Sequence, residues 1–289
     1  MLQSILQLLI AGVAMGFIYA LVGVEYTLVF NSIGLLNFAH ERFILLGAYV
    51  FAGTFAISFG LSHVWAIIAA LIFMALFGAL AAIGIFNPLR NMASRLYAIM
   101  GTIALGRIIT ESIRLIYGPQ PFTVPNYITG VFRIGGVVIS KANVVIIVVA
   151  ILIVAVLQFY MKKTRAGKAM RCVNQNKNAA ALMGINVSKN IVISIMISTA
   201  ICAAIGMLII PLYSIEPTMT SIIGLKGFAA GVIGGFGYLP GAIVGGLLVG
   251  IVENLSVLVL PAVYKDCVAY ILMILFMLIR PSGLLGHKR

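Results

Sequence analysis

Few side chains in this sequence could do chemistry, and the apolar runs around them make each one costly. An ionisable group at bilayer depth costs about 3 kcal/mol or more unless it is paired or hydrated, so each is a functional candidate. Glu25 lies past the middle of the first apolar run with no basic residue within helical reach, and its natural partner is Arg42, beyond the turn that follows. His40, Glu41 and Glu253 complete the set, and Glu253 either faces a cavity or caps a helix contact. Arg107, Glu111 and Arg114 share one helix face at spacings of four and three, which predicts mutual neutralisation rather than a site.

Other chemistries find little support. His40 with Glu41 is too sparse for a metal centre, and His63 reads as interfacial. Cys172, Cys202 and Cys267 are odd in number, far apart and in no C-x-x-C pattern, so neither a disulfide framework nor a zinc site is expected and the thiols read as packing residues. No G-x-x-x-x-G-K-[ST] occurs; Gly167-Lys168 lacks both the upstream Gly and the following Ser or Thr. If ATP drives this protein, another chain binds it.

The elements that must position these residues follow from composition. Of the 289 residues 63% are hydrophobic and 9% charged, with a mean hydropathy of +1.18, far from the soluble average of about 25% charged. The net charge of +13 would suggest nucleic acid in a soluble protein. Here the basic residues sit between apolar runs, where they orient helices and meet anionic lipid headgroups, so no nucleic-acid partner is expected. The fold class is an all-α polytopic integral membrane protein, a single transmembrane domain over 1–289. About 20 apolar residues cross a bilayer, which marks spans at 5–30, 43–59, 64–86, 97–117, 144–161, 191–212, 221–236, 241–260 and 268–279. The first lacks the basic flank of a signal peptide and is expected to remain in the mature protein.

Lys162, Lys163, Arg165, Lys168, Arg171 and Lys177 form the densest basic cluster, which the positive-inside rule places in the cytoplasm. Counting outward gives nine spans with Met1 outside and Arg280, Lys288 and Arg289 inside. Arg42, Arg90 and Arg95 fall inside and Lys265 outside, with Arg133 and Lys141 as exceptions.

Two polar, glycine-bearing segments interrupt the apolar pattern. The first, 31–42, carries Asn31-Ser32, Gly34, Asn37 and His40; the second, 234–241, carries Gly234, Gly235 and Gly237 before Pro240. Together they suggest broken helices at corresponding positions of two halves, as around the binding site of a transporter. The alternative is an ordinary turn and an ordinary glycine-rich helix contact. Lys226 and the glycines make 221–236 a poor lipid-facing helix, tolerated as a half-helix only when buried in protein. Small residues four apart at Gly12/Gly16, Gly231/Gly235, Gly241/Gly245 and Gly246/Gly250 predict close helix packing.

The loop 162–190 is patterned for docking. Residues 165–173 can form an amphipathic helix; Asn176 is an N-cap and Gly184 a C′ stop for a second helix over 177–183. Such a pair presents a compact surface to a soluble partner, although the charge alone would also hold the loop against anionic lipid.

The segment Ile33-Gly34-Leu35-Leu36-Asn37-Phe38-Ala39-His40 resembles the I-G-x-x-N-F-A-H-G-E motif of the branched-chain amino-acid ABC transporter permeases of the LivH type. Ala181-Leu182-Met183-Gly184-Ile185-Asn186-Val187 resembles their A-x-x-x-G-I-N-V coupling-loop end. Residues 230–242, followed by 245–250 and Glu253, resemble the third signature, and 280–286 the C-terminal tail. The resemblance covers nearly the whole chain. It departs after His40, where the family has Gly then Glu and this chain has Glu41 then Arg42. Glu25 stands where Gly is usual, and Gln175 and Asn176 where acidic residues are common.

The resemblance implies the ABC importer permease fold and a bacterial inner-membrane subunit that translocates branched-chain or related amino acids by ATP-driven alternating access, and is not itself an enzyme. It further implies a second, LivM-type permease, two cytoplasmic ATPase subunits that hold ATP and Mg, and a periplasmic substrate-binding protein. No cofactor or metal is expected on this chain. Pathway candidates are Glu25, Asn37, His40, Glu41, Arg42, Gly234, Gly235, Gly237 and Glu253; the ATPase-docking loop offers Arg165, Gly167, Arg171, Asn176, Ala181, Gly184 and Asn186. Simple-sugar permeases are the near alternative. An ion-coupled secondary transporter using Glu25, Glu41 and Glu253 is a second, and a structural membrane scaffold a third.

Overall fold

A computed structural model describes residues 2–90, 95–134 and 137–286. Met1, Lys288, Arg289 and the side chains of Arg90 and Arg95, on which part of the charge count rests, lie outside the described residues.

The chain is a helical bundle. Helix α1 (Leu2–Ile33) is followed by α2 (His40–Tyr49), which widens into a π-helical stretch over Val50–Ser58. Next come α3 (His63–Ala81), a second wide stretch at Ala82–Phe86, the single turn α4 (Asn87–Arg90) and α5 (Arg95–Tyr117). A hairpin of β1 (Val131–Ile134) and β2 (Val137–Ser140), antiparallel with Val131 opposite Ser140, leads into α6 (Lys141–Lys163). Two short helices, α7 (Arg165–Gln175) and α8 (Lys177–Leu182), precede α9 (Val187–Ile209), α10 (Ser221–Gly234), α11 (Leu239–Ser256) and α12 (Lys265–Ile279).

The nine expected passes resolve into two kinds. Among the described residues eight helices are long and apolar enough to cross a membrane, whereas α10, at 14 residues, is not. Its rise of about 21 Å falls short of a hydrocarbon core of about 30 Å. The half-helix expected at 221–236 is therefore present. Helix α1 continues three residues past the expected end at Phe30, and its last turn is closed by the Gly34 N–H on the Phe30 carbonyl at 2.7 Å.

α1 stands at the centre, packed on α6, α9, α10 and α11. Glycine sets the distance. A Cβ built on Gly250 would lie 2.3 Å from the Gly16 Cα, and one on Gly246 2.5 Å from the Ala20 Cα, so α1 and α11 touch backbone to backbone. α9 approaches α2 in the same way, Gly206 against the Ile44 carbonyl and Gly47 against Ala203. By contrast α12 and α6 are the barest spans, with 6% and 22% of their most apolar windows buried, so they present their side chains to surrounding lipid or protein.

This packing makes a direct prediction. Gly250→Ala inserts a methyl where no space exists and is expected to cost about 1–3 kcal/mol, the range for overpacking. Gly84→Ala, whose Cβ meets nothing within 4 Å, serves as the control. Thermal unfolding of the two purified variants should show a lowered midpoint for the first alone; equal midpoints would refute the close contact.

Candidate functional site

Two breaks in the helical pattern place the polar residues. Between α1 and α2 the chain runs non-helically from Gly34, at φ +82°, to Ala39, whose N–H is held by the Asn37 side chain at 3.0 Å. Asn37 is thus a buried turn-former. Between α10 and α11, Gly235 and Gly237 take φ of +110° and +96°, conformations open to glycine at little cost. A Cβ on Gly234 would lie 2.0 Å from the Gly241 carbonyl oxygen, and Gly235 packs on Ser282 and Gly286 of the tail. These three glycines shape a turn and seat the tail. The two breaks meet, for Asn31 Nδ2 donates to the Gly237 carbonyl at 2.9 Å.

The expected Glu25–Arg42 pair does not form. Glu25 on α1 is fully buried against His40, the first residue of α2, and Ser198 of α9 donates its hydroxyl to the other carboxylate oxygen. Cys202 Sγ, one turn further along α9, stands 3.6 Å from His40 Nδ1. Arg42 turns the other way and pairs with its neighbour Glu41 at 2.8 Å while donating to the Pro217 carbonyl at 3.3 Å. The reason is helical phase: residues two apart on a helix project about 200° apart, so His40 and Arg42 cannot both face α1. Glu41 lies against Gly224 of α10 and Arg42 against Gly106 of α5. Of the surface trio, Arg114 and Glu111 pair at 3.1 Å on an exposed face.

Glu253 is a pathway candidate that lines a cavity. It is fully buried, accepts from Lys226 of α10 at 2.8 Å, lies 3.4 Å from Lys265 and is within reach of the Tyr19 hydroxyl at 3.3 Å. Lys226 also meets Asp266, at the start of α12, at 2.5 Å. Two cations, Lys226 and Lys265, and three anions, Glu253, Asp266 and Glu216, thus face a space of about 790 Å³ that also has Tyr213, Met219 and Ile222 on its walls. Lys226 was visible in the sequence as an oddity of 221–236, and the rule that makes an intramembrane charge a functional candidate applies to it as fully as to Glu25. Tyr19 carried no such signal.

The loop 162–190 folds as its caps dictate. Asn176 accepts from the N–H groups of Asn178 and Ala179, both at 3.0 Å, and Gly184 takes φ +80°. Thr164 caps α7 and Asn186 caps α9. Arg165, Arg171, Asn176, Ala181, Gly184 and Asn186 are exposed; Gly167 is buried, its missing Cβ making room for the Tyr160 carbonyl, so it packs α7 on α6 and presents nothing to a partner. Leu182 and Met183, apolar yet 89% and 81% exposed, project from the end of α8.

A family model described as the permease component of branched-chain amino-acid transport systems matches residues 8–277. The chain belongs to that family. The permease is 32% identical to the high-affinity branched-chain amino-acid transport system permease protein LivH of Escherichia coli K12, across 98% of this chain and 96% of that one. It is 33% identical to the corresponding BraD protein of Pseudomonas aeruginosa over the same shares. The fructose import permease protein FrcC of Rhizobium meliloti is 31% identical over 127 residues, 42% of this chain and 34% of that one. The permease is a transport subunit and not an enzyme.

The buried network yields a second prediction. Lys226→Met takes from buried Glu253 its closest cation and leaves it only Lys265 at 3.4 Å, and breaking a buried pair costs about 3–5 kcal/mol. Adding Glu253→Gln removes the under-compensated charge, so the double variant should unfold at a higher temperature than Lys226→Met alone. Additive losses in this double-mutant cycle would show that the two residues are not coupled.

Proposed function

We propose that this permease is the translocation subunit of an ABC importer that carries branched-chain amino acids across a bacterial inner membrane. Its companions are a LivM-type permease, two cytoplasmic ATPases that hold ATP and Mg, and a periplasmic binding protein. The basic loop 162–190 is cytoplasmic in this reading, with α1 starting outside and the tail inside. The cavity near the first turns of α10 and α12 then opens toward the periplasm, where substrate arrives.

The observation that carries the substrate class is the cavity at Lys226. A zwitterionic amino acid needs a cation for its carboxylate, an anion for its ammonium and an apolar wall for its side chain. Lys226 and Lys265, Glu253 and Asp266, and Met219 with Ile222 supply these three. A neutral sugar has no use for two ion pairs, which favours the amino acid over the sugar reading. The same residues neutralise one another, so they do not form a relay of unpaired acids such as an ion-coupled carrier needs. Glu41, Arg42 and the turn at Gly234, Gly235 and Gly237 flank α10 and are assigned to the movement of that half-helix.

In the docking surface Leu182 and Met183 act as the apolar anchors for the ATPase, on the same exposed helix pair as Arg165, Arg171 and Ala181. Interface anchors of this kind are worth about 2 kcal/mol or more each. The complex reconstituted in liposomes with ATP enclosed on the loop side should accumulate labelled leucine, with fructose failing to compete. The double variant Leu182→Asp, Met183→Asp should release the ATPase on purification and reduce uptake at least tenfold. Uptake by the isolated chain on an ion gradient alone would sink the proposal, and so would ATP-driven uptake of fructose in preference to leucine.

A further inference from the structure

Among the described residues α5 is the spanning helix whose outward face carries charged side chains away from its ends. Arg107, Glu111 and Arg114 follow one another there at spacings of four and three, and all three are exposed. Their mutual neutralisation goes only halfway. Glu111 pairs with Arg114 at 3.1 Å, whereas Arg107 makes no ion pair or hydrogen bond among the described residues. A helix rises about 1.5 Å per residue, which puts Arg107 about 18 Å from the start of α5 and about 15 Å from its end. That is close to the middle of a hydrocarbon core of about 30 Å. A charge at such depth faces protein or water rather than acyl chains. Arg107 points out of this bundle, so water or a second protein must cover this side of α5.

The same side adjoins the charged cavity. Gly106 seats the start of α2, a Cβ there falling 3.2 Å from Arg42 Cγ. Arg42 pairs with Glu41 at 2.8 Å and donates to the carbonyl of Pro217, which stands between Glu216 and Thr218 on the cavity wall. Arg107 is near enough to Glu41 to act on its charge. Arg42 and Glu41 cancel, so Arg107 leaves the patch with one positive charge to offer.

We propose that Arg107 is a specificity-determining residue that receives the substrate's carboxylate at the middle of the membrane, on a water-filled route between α5 and the second permease. The assignment rests on the importer reading above. Lys226 and Lys265 are already committed to carboxylates. Arg107 is committed to none, so an amino acid leaving the cavity can bind it without first breaking an ion pair. Its planar guanidinium holds both carboxylate oxygens at once. Ile103, one turn away on the same face and exposed, offers apolar contact to the side chain. A carboxylate of the second permease would satisfy Arg107 equally well, and the test separates the two.

The test uses the complete complex in liposomes with its binding protein. Arg107→Gln should leave the complex assembled and its ATPase stimulated by the loaded binding protein, yet carry less leucine per ATP by about tenfold or more, the worth of one hydrogen bond to a charged group. Arg107→Lys should recover most of the loss. In a background of Cys172→Ser and Cys267→Ser, which removes the exposed thiols, Arg107→Cys should react with membrane-impermeant thiosulfonates. An aminoethyl label, which restores a positive charge, should restore uptake, and a sulfonatoethyl label should not. Leucine should slow both labellings. Arg107→Gln that transports as wild type, Arg107→Cys that neither reagent reaches, or Arg107→Gln that releases the second permease overturns the assignment, the last by showing an ion pair between subunits. Wild-type complex that carries no leucine overturns the substrate reading as well, so the two failures are told apart.

Discussion

An apolar surround leaves no water to satisfy a backbone amide or a charge, so each must be satisfied within the chain. That constraint decides where the helices of this permease can stop. At the end of α1 the Ile33 carbonyl receives the Lys177 ammonium at 2.5 Å, and the Phe38 N–H reaches the Thr102 hydroxyl at 3.2 Å. At the end of α10 the carbonyls of Ile233 and Gly234 accept from Leu284 and Leu285 of the C-terminal tail at 2.8 and 3.1 Å. Each break borrows partners from a segment far away in sequence. The breaks are as tightly specified as the helices.

Glycine makes those distant partners reachable. The tail can lie along the end of α10 because Gly235 and Gly283 leave room for one another, a Cβ on Gly283 falling 2.4 Å from the Gly235 nitrogen. The same economy brings α1 onto α11 at Gly12, Gly16, Gly246 and Gly250. Lipid tails are as apolar as leucine, so close backbone packing rather than a hydrophobic drive holds such helices together. Once α1 is fixed in the centre, Tyr19 and Glu25 present themselves to two different polar clusters on its flanks.

How much of this was legible in the sequence differs by level. Hydropathy marked every span, because bilayer thickness is a single length that apolar runs must match. The caps at Asn176 and Gly184 were legible because capping is local, decided by residues two or three positions apart. The partner of Glu25 was not, since His40, Ser198 and Cys202 reach it by helix packing and phase, and nearness in sequence favoured Arg42 instead. Cys202 looked inert for the same reason: as one of three scattered cysteines it gave no pattern, and only α9 crossing α2 brings it to an imidazole. The glycines at 234–237 were legible as a break but not as a seat for the tail.

The placement of α8 follows from these contacts and carries a mechanical consequence. Lys177 begins α8 and ends on the Ile33 carbonyl, Asn174 at the end of α7 reaches the Asn31 carbonyl at 2.8 Å when its amide is oriented to donate, and Asn31 holds the Gly237 carbonyl. The exposed helix pair is therefore bonded to the end of α1, and through Asn31 to the turn that joins α10 to α11. Lys226 lies eight residues from the end of α10, about 12 Å along its axis. A half-helix held at one end by a turn and at the other by ion pairs to Glu253 and Asp266 has few ways to move. Displacing α8 loads the Lys177 bond to the end of α1 along with the packing of the pair on α6 and α9, and a connected route from there to the charged cavity runs through Asn31 and Gly237 along α10.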